Sequence, residues 1–325
     1  MRSPGPFPAA LSGRVFTHQQ ASELGVSPGR LRSRDVRNLQ RGLYAHAMDD
    51  PPDLAVVAGL DLLHPRLWAS HRTAAKIHDF WLPYDSSRPR SLAVSCQAGR
   101  VRPQLAGIEV HQTLTMASEI QYAPPASGLP SGSMALVTTP ARTWLDLAAE
   151  LTIPDLVAVG DQIVRNPRPR FEGRSRPWAT REELAGLLSA HPNLQGIRRA
   201  RTALEQIRVG SDSPAETRLR LALVRVGLPE PDLQVALDPA DPYSPTADVG
   251  YRRYRIALQY DGGGHRSYER LSADNARDNA FTSAGWAYYK FDRLDWRTDF
   301  VRAANVVQQA LLAAGRCGRR MNDAP

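Results

Sequence analysis

The sequence predicts a mixed α/β protein of several domains, and three observations support this. The chain has 325 residues, more than one hydrophobic core ordinarily serves. Helical and strand patterns alternate along it, and its charge is zoned: residues 1–45 carry +5, 46–162 carry −4, 163–210 carry +6 and 211–325 carry +1. We therefore predict four segments, at 1–48, 49–165, 166–210 and 211–325.

The composition excludes several classes of protein. No apolar run approaches the roughly 20 residues of a membrane-spanning helix, and residues 1–10 lack the apolar core of a secretory signal. Cys96 and Cys317 have no CxxC or Cys/His neighbours, so neither a disulfide framework nor a structural zinc site is indicated. The net charge of +8 favours a polyanionic partner. We expect a cytoplasmic protein that does not contact membranes.

The first 48 residues have the pattern of a winged helix-turn-helix. Thr17 and Gln20 form a capping box that opens a short helix. Ser27-Pro28 is typical of the start of a second helix, and a strand pattern interrupted by Arg41-Gly42 follows as the wing. In such a fold the second helix lies in the major groove and arginines contact phosphates. The alternative is a solvated basic face of a small helical domain. The candidate DNA-binding residues are Arg30, Arg32, Arg34 and Arg41.

Residues 49–210 contain helix and strand patterns but no reactive cluster. Helices are predicted to open near Ser70 and Thr139. Arg142 and Asp146 are four residues apart on the second of these helices, so we expect a modest surface ion pair. Residues 165–170 are a basic stretch interrupted by prolines, which predicts an extended and exposed linker. The alternative is a contact with the DNA backbone.

Residues 211–325 alternate helix and strand around a group of side chains that carry oxygen atoms. Ser213 and Glu216 form a capping box that opens a helix. Residues 247–250 and 255–261 have the pattern of paired strands. A polar helix, an apolar strand over residues 286–291 and a closing helix follow.

The paired strands and the helix before them contain the residues that could catalyse a reaction. Strand periodicity places Gln259 and Asp261 on one face, beside Asp248 of the preceding strand, while Glu216 adds a carboxylate from the helix. Such hard oxygen ligands suit Mg²⁺ or Mn²⁺, and a divalent ion there would assist phosphodiester hydrolysis, with His265 as proton donor to the leaving group. Taken singly, Glu216 is explained by its capping box and Asp261 by a turn. The candidate catalytic residues are Glu216, Asp248, Gln259, Asp261 and His265, with Asp248 and Asp261 as metal ligands.

Two stretches of the chain resemble known families. Ser213-Pro214-Ala215-Glu216, Ala247-Asp248-Val249, Gln259-Tyr260-Asp261-Gly262 and His265 make residues 211–315 similar to very-short-patch-repair-like endonuclease domains of the PD-(D/E)XK superfamily. Arg41-Gly42-Leu43-Tyr44-Ala45, with residues 70–75 and 141–147, gives residues 12–165 a looser resemblance to AbiEi-type antitoxins common in actinobacteria.

The two resemblances imply an architecture and a set of partners. They imply an N-terminal winged helix, a small middle α/β domain and a C-terminal restriction-endonuclease-like αβββαβ core. They also imply DNA and a cognate toxin as partners, with magnesium as cofactor, in a type IV toxin–antitoxin or phage-defence setting.

One position departs from the nuclease pattern. Most such domains end this strand with Glu-x-Asp-Gly, whereas this chain has Gln259, whose amide oxygen contributes no charge and lowers the affinity for Mg²⁺. No lysine follows in the usual place, and Lys290 on the next strand is the substitute we consider. Two hypotheses therefore stand: a metal-dependent DNA endonuclease, or an antitoxin-like transcriptional regulator whose nuclease-like domain is inactive.

Overall fold

The protein has a mixed α/β architecture in the computed structural model, which describes residues 7–83, 91–124, 127–130, 132–168, 172–262 and 268–322. These ranges hold eleven α-helices and three sheets. The chain divides into two compact units, residues 1–151 with 183–200 and residues 152–182 with 201–325. No helix in the described ranges has the length and apolar character needed to cross a lipid bilayer.

The first unit begins with a three-stranded antiparallel sheet. Its strands are β1 (Val15–Thr17), β2 (Val36–Gln40) and β3 (Leu43–His46), in the order β1-β3-β2. The predicted capping box is confirmed, because Thr17 and Gln20 exchange backbone-to-side-chain hydrogen bonds of 2.9 and 3.2 Å at the start of α1 (His18–Glu23). Gly42, with φ +85°, forms the tight turn between β2 and β3.

The second helix predicted for the N-terminal segment is absent, and that prediction was wrong. A single 3₁₀ turn at Arg30–Arg32 stands in its place, and the backbone becomes extended at Ser33. Both oxygens of the Asp35 carboxylate accept hydrogen bonds of 2.7 Å from the Arg30 guanidinium, which fixes the chain in the bend that leads into β2. Arg30 is therefore half-buried in an ion pair, whereas the other three candidate arginines are exposed, namely Arg32, Arg34 and Arg41.

A five-stranded mixed sheet forms the rest of the first unit. Its order is β6-β5-β4-β8-β7, and one hydrophobic cluster joins it to the small sheet through residues such as Val15, Leu43, Val94 and Val137. The elements are α2 (Asp53–Leu63), β4 (Trp68–Ala69), α3 (His71–Ile77), β5 (Leu92–Gln97), β6 (Ile108–Thr113), β7 (Ile120–Tyr122), β8 (Leu136–Thr138) and α4 (Pro140–Leu147).

Arg142 and Asp146 of α4 do not form the surface pair that the sequence predicts. Arg142 is completely buried, and its guanidinium donates to Asp146 Oδ1 at 2.8 Å, to Glu119 Oε2 at 2.5 Å and to the Leu114 carbonyl at 2.9 Å. His191 completes the network, with its Nε2 at 2.5 Å from Glu119 Oε1. A buried charge needs partners of this kind, and here they come from positions far apart in sequence.

The second unit contains a four-stranded sheet with helices on its two faces. Strands β9, β10 and β11 are antiparallel neighbours and β12 is parallel to β11, in the order β12-β11-β10-β9. Helices α6 (Arg181–Ala190) and α7 (Ile197–Gln206) contribute residues to both units. The other elements are α5 (Ile153–Val164), α8 (Pro214–Arg225), β9 (Asp232–Ala236), β10 (Thr246–Tyr251), β11 (Ile256–Tyr260), α9 (Tyr268–Ser283), β12 (Ala287–Phe291), α10 (Arg293–Arg297) and α11 (Val301–Asn322).

Helix α8 is held on both of its long sides. Leu219 and Leu223 pack with Val249 and Leu258 of the sheet in one hydrophobic cluster. On the α5 side, Arg220 donates at 2.9 Å to the fully buried carboxylate of Asp161.

Arg165, at the start of the basic stretch, is less exposed than the sequence predicts. Arg165 has a side chain only 12% exposed, and it pairs with Glu172 at 2.7 Å and with Asp212 at 3.3 Å. Arg174 pairs with the same Glu172 carboxylate at 2.9 Å. Arg168 bonds to Asp212 but keeps a side chain that is 59% exposed. Arg165 and Arg168, the described arginines of this stretch, are therefore both paired within the second unit.

We predict that Arg142→Met destabilises the first unit by about 3 to 5 kcal/mol, because it leaves the Glu119 and Asp146 carboxylates buried without their cation. Urea unfolding followed by hydrogen exchange of peptides from residues 136–147 measures the effect locally. Arg41→Ala, in an exposed turn of the same unit, is the control and is expected to change stability by less than about 0.5 kcal/mol. Equal urea midpoints for the two variants would contradict the prediction.

Candidate active site

A cavity of about 610 Å³ opens where the N-terminus of α8 meets the ends of β10 and β11. Three of the five predicted catalytic residues line it, one from each of these elements. The lining residues are Ser213, Pro214, Ala215, Glu216, Asp248, Gln259, Tyr260, Gly262, Arg293 and Trp296.

Glu216 is fixed in the first turn of α8. Ser213 caps this helix, and its hydroxyl donates to Glu216 Oε1 at 2.8 Å. Glu216 Oε2 accepts the backbone N–H of Asp212 at 2.8 Å and the Gln234 amide at 3.4 Å. Ser213 therefore caps the helix as the sequence predicts, but the Glu216 carboxylate accepts the Asp212 N–H in place of the Ser213 N–H that a capping box would use. The same carboxylate lines the cavity, and Glu216 is 6% exposed.

Asp248 reaches the same cavity from β10. Val249 pairs with Leu258, so the antiparallel register continues to Asp248 beside Gln259. Asp248 Oδ2 accepts the backbone N–H of Tyr260 at 2.8 Å, which locks the carboxylate to the end of β11.

The Gln259 side-chain amide forms a hydrogen bond to Asp248, whereas its carbonyl oxygen has no partner among the described residues. Its side chain forms a hydrogen bond to Asp248 that stabilises the ionised carboxylate. Its Oε1 atom is buried and has no hydrogen-bond partner among the described residues. A buried acceptor left in this state costs free energy unless a ligand supplies the missing partner.

The two carboxylates disfavour each other's charge. Burial, and then the charge of Asp248, raise the pKa of Glu216 to about 8. Burial raises the pKa of Asp248 to about 6, although the Tyr260 N–H, the Gln259 amide and the charge of Arg277 act in the opposite direction. Buried carboxyl pairs whose pKa values are raised in this way are typical of functional sites.

These three residues fit a hard divalent cation. Glu216 and Asp248 would supply carboxylate oxygens, and Gln259 Oε1 is the acceptor that lacks a partner. No three Asp, Glu, His or Cys side chains converge as metal ligands within the described ranges. Mg²⁺ is commonly held by only one or two carboxylates, with water and substrate phosphate completing its octahedral shell.

Three other positions singled out in the sequence lie elsewhere or outside the described ranges. Asp261 follows β11, where its backbone N–H donates to the Phe291 carbonyl at 2.7 Å, and it is not among the residues that line the cavity. His265 falls outside the described residues. Lys290 is in register with Gln259 across the parallel β11–β12 pair, but its amine forms an ion pair with Asp278 of α9.

The structure adds residues that sequence reasoning missed. Arg293 and Trp296 of α10 line the cavity, and Gln234 of β9 reaches Glu216. The signal for α10 was present, because Asp292 and Asp295 form a capping box at its start. No sequence pattern around Gln234 indicated that it would reach Glu216. It lies in a strand that follows two prolines, and it adopts a left-handed backbone conformation with φ +49°.

Comparison with models of known protein families finds no match to the sequence. Two uncharacterized proteins of Mycobacterium tuberculosis, from strains CDC 1551 / Oshkosh and ATCC 25618 / H37Rv, are each 25% identical to the chain over 247 residues. The aligned region covers 75% of this chain and 81% of each relative. Neither name states an activity.

We predict that, in EDTA, the unfolding temperature falls as pH rises from 5 to 8.5. Because the pKa values of Glu216 and Asp248 are raised above their ordinary values, the folded protein binds protons more tightly than the unfolded chain in this window and loses stability as they dissociate. Mn²⁺ should restore several degrees at pH 8.5 and less at pH 5. The double variant Glu216→Gln, Asp248→Asn is the control, and a pH slope equal to that of the parent would disprove the prediction.

Proposed function

We propose that this protein is a divalent-metal-dependent DNA endonuclease that hydrolyses phosphodiester bonds in the cavity lined by Glu216, Asp248 and Gln259. The observation that carries the proposal is the buried carboxylate pair with raised pKa values beside an amide oxygen that lacks a partner among the described residues. Such a group of acceptors destabilises a fold until a cation binds, so its presence favours a metal-dependent reaction.

The order of elements supports the nuclease proposal. Helix α8, strands β9 to β11, helix α9 and strand β12 follow the αβββαβ order that the endonuclease resemblance implies. The carboxylates of Glu216 and Asp248 stand on the first helix and the second strand of that order. This placement is a second reason, independent of the pKa values, to propose phosphodiester chemistry here.

Different residues of the chain would have different roles in hydrolysis. A Mg²⁺ or Mn²⁺ ion bound here would polarise the scissile phosphate and lower the pKa of a nearby water. Glu216, Asp248 and the Gln259 amide oxygen would hold that ion, while exposed Arg293 at the rim attracts the phosphate. Hydrolysis forms one phosphorus–oxygen bond from water and breaks the bond to the leaving sugar oxygen, which must gain a proton. His265 remains the predicted donor of that proton.

A second candidate function is an antitoxin-like transcriptional regulator whose nuclease-like domain is inactive, with a cognate toxin as partner. Two observations favour it. Lys290 is paired with Asp278, and the amide of Gln259 stands where a third carboxylate would strengthen metal binding. Exposed Arg32, Arg34 and Arg41 would then hold operator DNA through its phosphates.

For the endonuclease we predict that the protein nicks supercoiled plasmid with Mg²⁺ or Mn²⁺ and that Asp248→Ala abolishes the activity. Gln259→Glu should lower the Mg²⁺ concentration that gives half-maximal rate, because it adds a negative ligand. Glu205→Ala removes an exposed carboxylate of α7 and serves as the matched control with unchanged activity. A parent protein that cleaves with neither metal, or cleavage that persists in Asp248→Ala, would rule out the proposal.

For the regulator we predict that replacing Arg32, Arg34 and Arg41 together by alanine weakens binding to the DNA upstream of the protein's own gene. Because each lost phosphate contact lowers the slope of log K against log salt by about 0.9, the slope should fall by at most about 3. Replacing exposed Arg66, Arg100 and Arg102 by alanine removes the same net charge and is the control. Gel shifts over a range of salt measure both, and equal slopes would refute a specific role.

A further inference from the structure

A second cavity, of about 480 Å³, lies against Asp248 in the same unit. Asp248 lines both cavities. Gln234 lines the second cavity and bonds to Glu216, which lines the first. The other lining residues are Arg168, Tyr243, Ser244, Pro245, Thr246, Ala276 and Arg277. A chain-like ligand that occupied both cavities would therefore cross the Asp248 carboxylate.

Two arginines give the second cavity a means of binding phosphate. Arg168 donates to Asp212 through Nη2, and Arg277 donates to Asp274 through Nη1 at 3.1 Å. Each guanidinium has five N–H donors, so these pairs leave donors for phosphate oxygens. The charge of Arg277 lowers the pKa of Asp248, which places it within electrostatic reach of the reaction site.

Tyr243 stands at this cavity with 93% of its surface exposed. Its loop is held by its own hydrogen bonds: the Tyr243 N–H donates to Asp241 Oδ1 at 2.9 Å, and the Asp238 N–H donates to Ser244 Oγ at 2.7 Å. The Leu237 N–H closes the loop on the Pro245 carbonyl at 2.8 Å. Because these hydrogen bonds hold the backbone that presents the ring, stacking of a flat ligand requires ordering of the side chain but not of the loop.

We infer that the second cavity holds the nucleotide next to the scissile phosphate, and that the substrate is single-stranded DNA whose base stacks on Tyr243. This inference rests on the proposed nuclease function. In a duplex both faces of each base are covered by neighbouring bases, whereas an unpaired base offers a face to an aromatic ring. Aromatic platforms along a cationic groove are the usual means of binding single strands. Half-buried Trp296 and Tyr260 provide aromatic surface in the first cavity, on the other side of Asp248.

The test measures binding in EDTA, where metal-dependent cleavage does not occur. The probe is a fluorescein-labelled oligothymidylate of about 15 nucleotides, read by fluorescence anisotropy, alone and annealed to its complement. Tyr243→Ala should weaken single-strand binding by about 5- to 100-fold, since stacking of one base contributes that much. Tyr243→Phe should bind like the parent. Tyr122→Ala removes another exposed tyrosine, 63% exposed in the first unit, and should also bind like the parent.

The outcomes separate this inference from the nuclease proposal. The inference is overturned if Tyr243→Ala binds the single strand like the parent, or if it loses duplex binding to the same extent. Unchanged thermal unfolding of Tyr243→Ala establishes that the ring was not structural. Binding that depends on Tyr243 without metal-dependent cleavage by the parent supports the single-strand subsite and contradicts the nuclease. Cleavage of single strands that is indifferent to Tyr243 supports the nuclease and contradicts the subsite.

Discussion

The candidate site depends on an ion pair that is almost entirely removed from solvent. Asp161 of α5 accepts hydrogen bonds from Arg220 at 2.9 Å, from Thr217 at 2.8 Å and from the Arg208 backbone at 2.7 Å. Displacing one partner would leave a buried charge uncompensated, so α8 cannot rotate or slide cheaply. Glu216 is one turn before Arg220 on the same face of α8, and the ion pair therefore also fixes where Glu216 meets Asp248.

Holding Glu216 beside Asp248 costs free energy, and interactions in the surrounding structure offset that cost. Burial raises the pKa values of both Glu216 and Asp248, and the charge of Asp248 raises that of Glu216 further, so ionising the two carboxylates costs free energy. Backbone N–H groups of Asp212 and Tyr260 hold the two carboxylates in place all the same. The packing of α8 and α11 on the sheet supplies apolar burial that can compensate. Burying two carboxylates lowers the stability of the fold, so their presence is better explained by the binding of a cation than by a contribution to stability.

The sequence predicted the features that depend on residues close together in the chain. It did not predict the features that depend on residues far apart in the chain. The side-chain caps at Thr17 and Ser213 depend on neighbours three residues away, and both helices begin there. The register that brings Asp248 beside Gln259 follows from a short strand pair. Arg142 looked like a surface residue because its other partners, Glu119 and the Leu114 carbonyl, come from positions 23 and 28 residues away, and no pattern near α4 indicates them. The helix expected after Ser27 gave way to one contact between Arg30 and Asp35.

The net charge of a sequence segment also differs from the charge that the folded segment leaves unpaired. Residues 163–210 carry a net +6, which in sequence indicates a surface for a polyanion. In the structure Arg165 and Arg174 share Glu172, which that net charge already counts, and Asp212 adds a carboxylate to Arg165 from outside the segment. Arg168 differs, because its exposed side chain bridges Asp212, next to the cap of α8, and the cavity beside Asp248. The structure therefore singles out Arg168, which lines a cavity together with Asp248, and net charge alone could not have identified it.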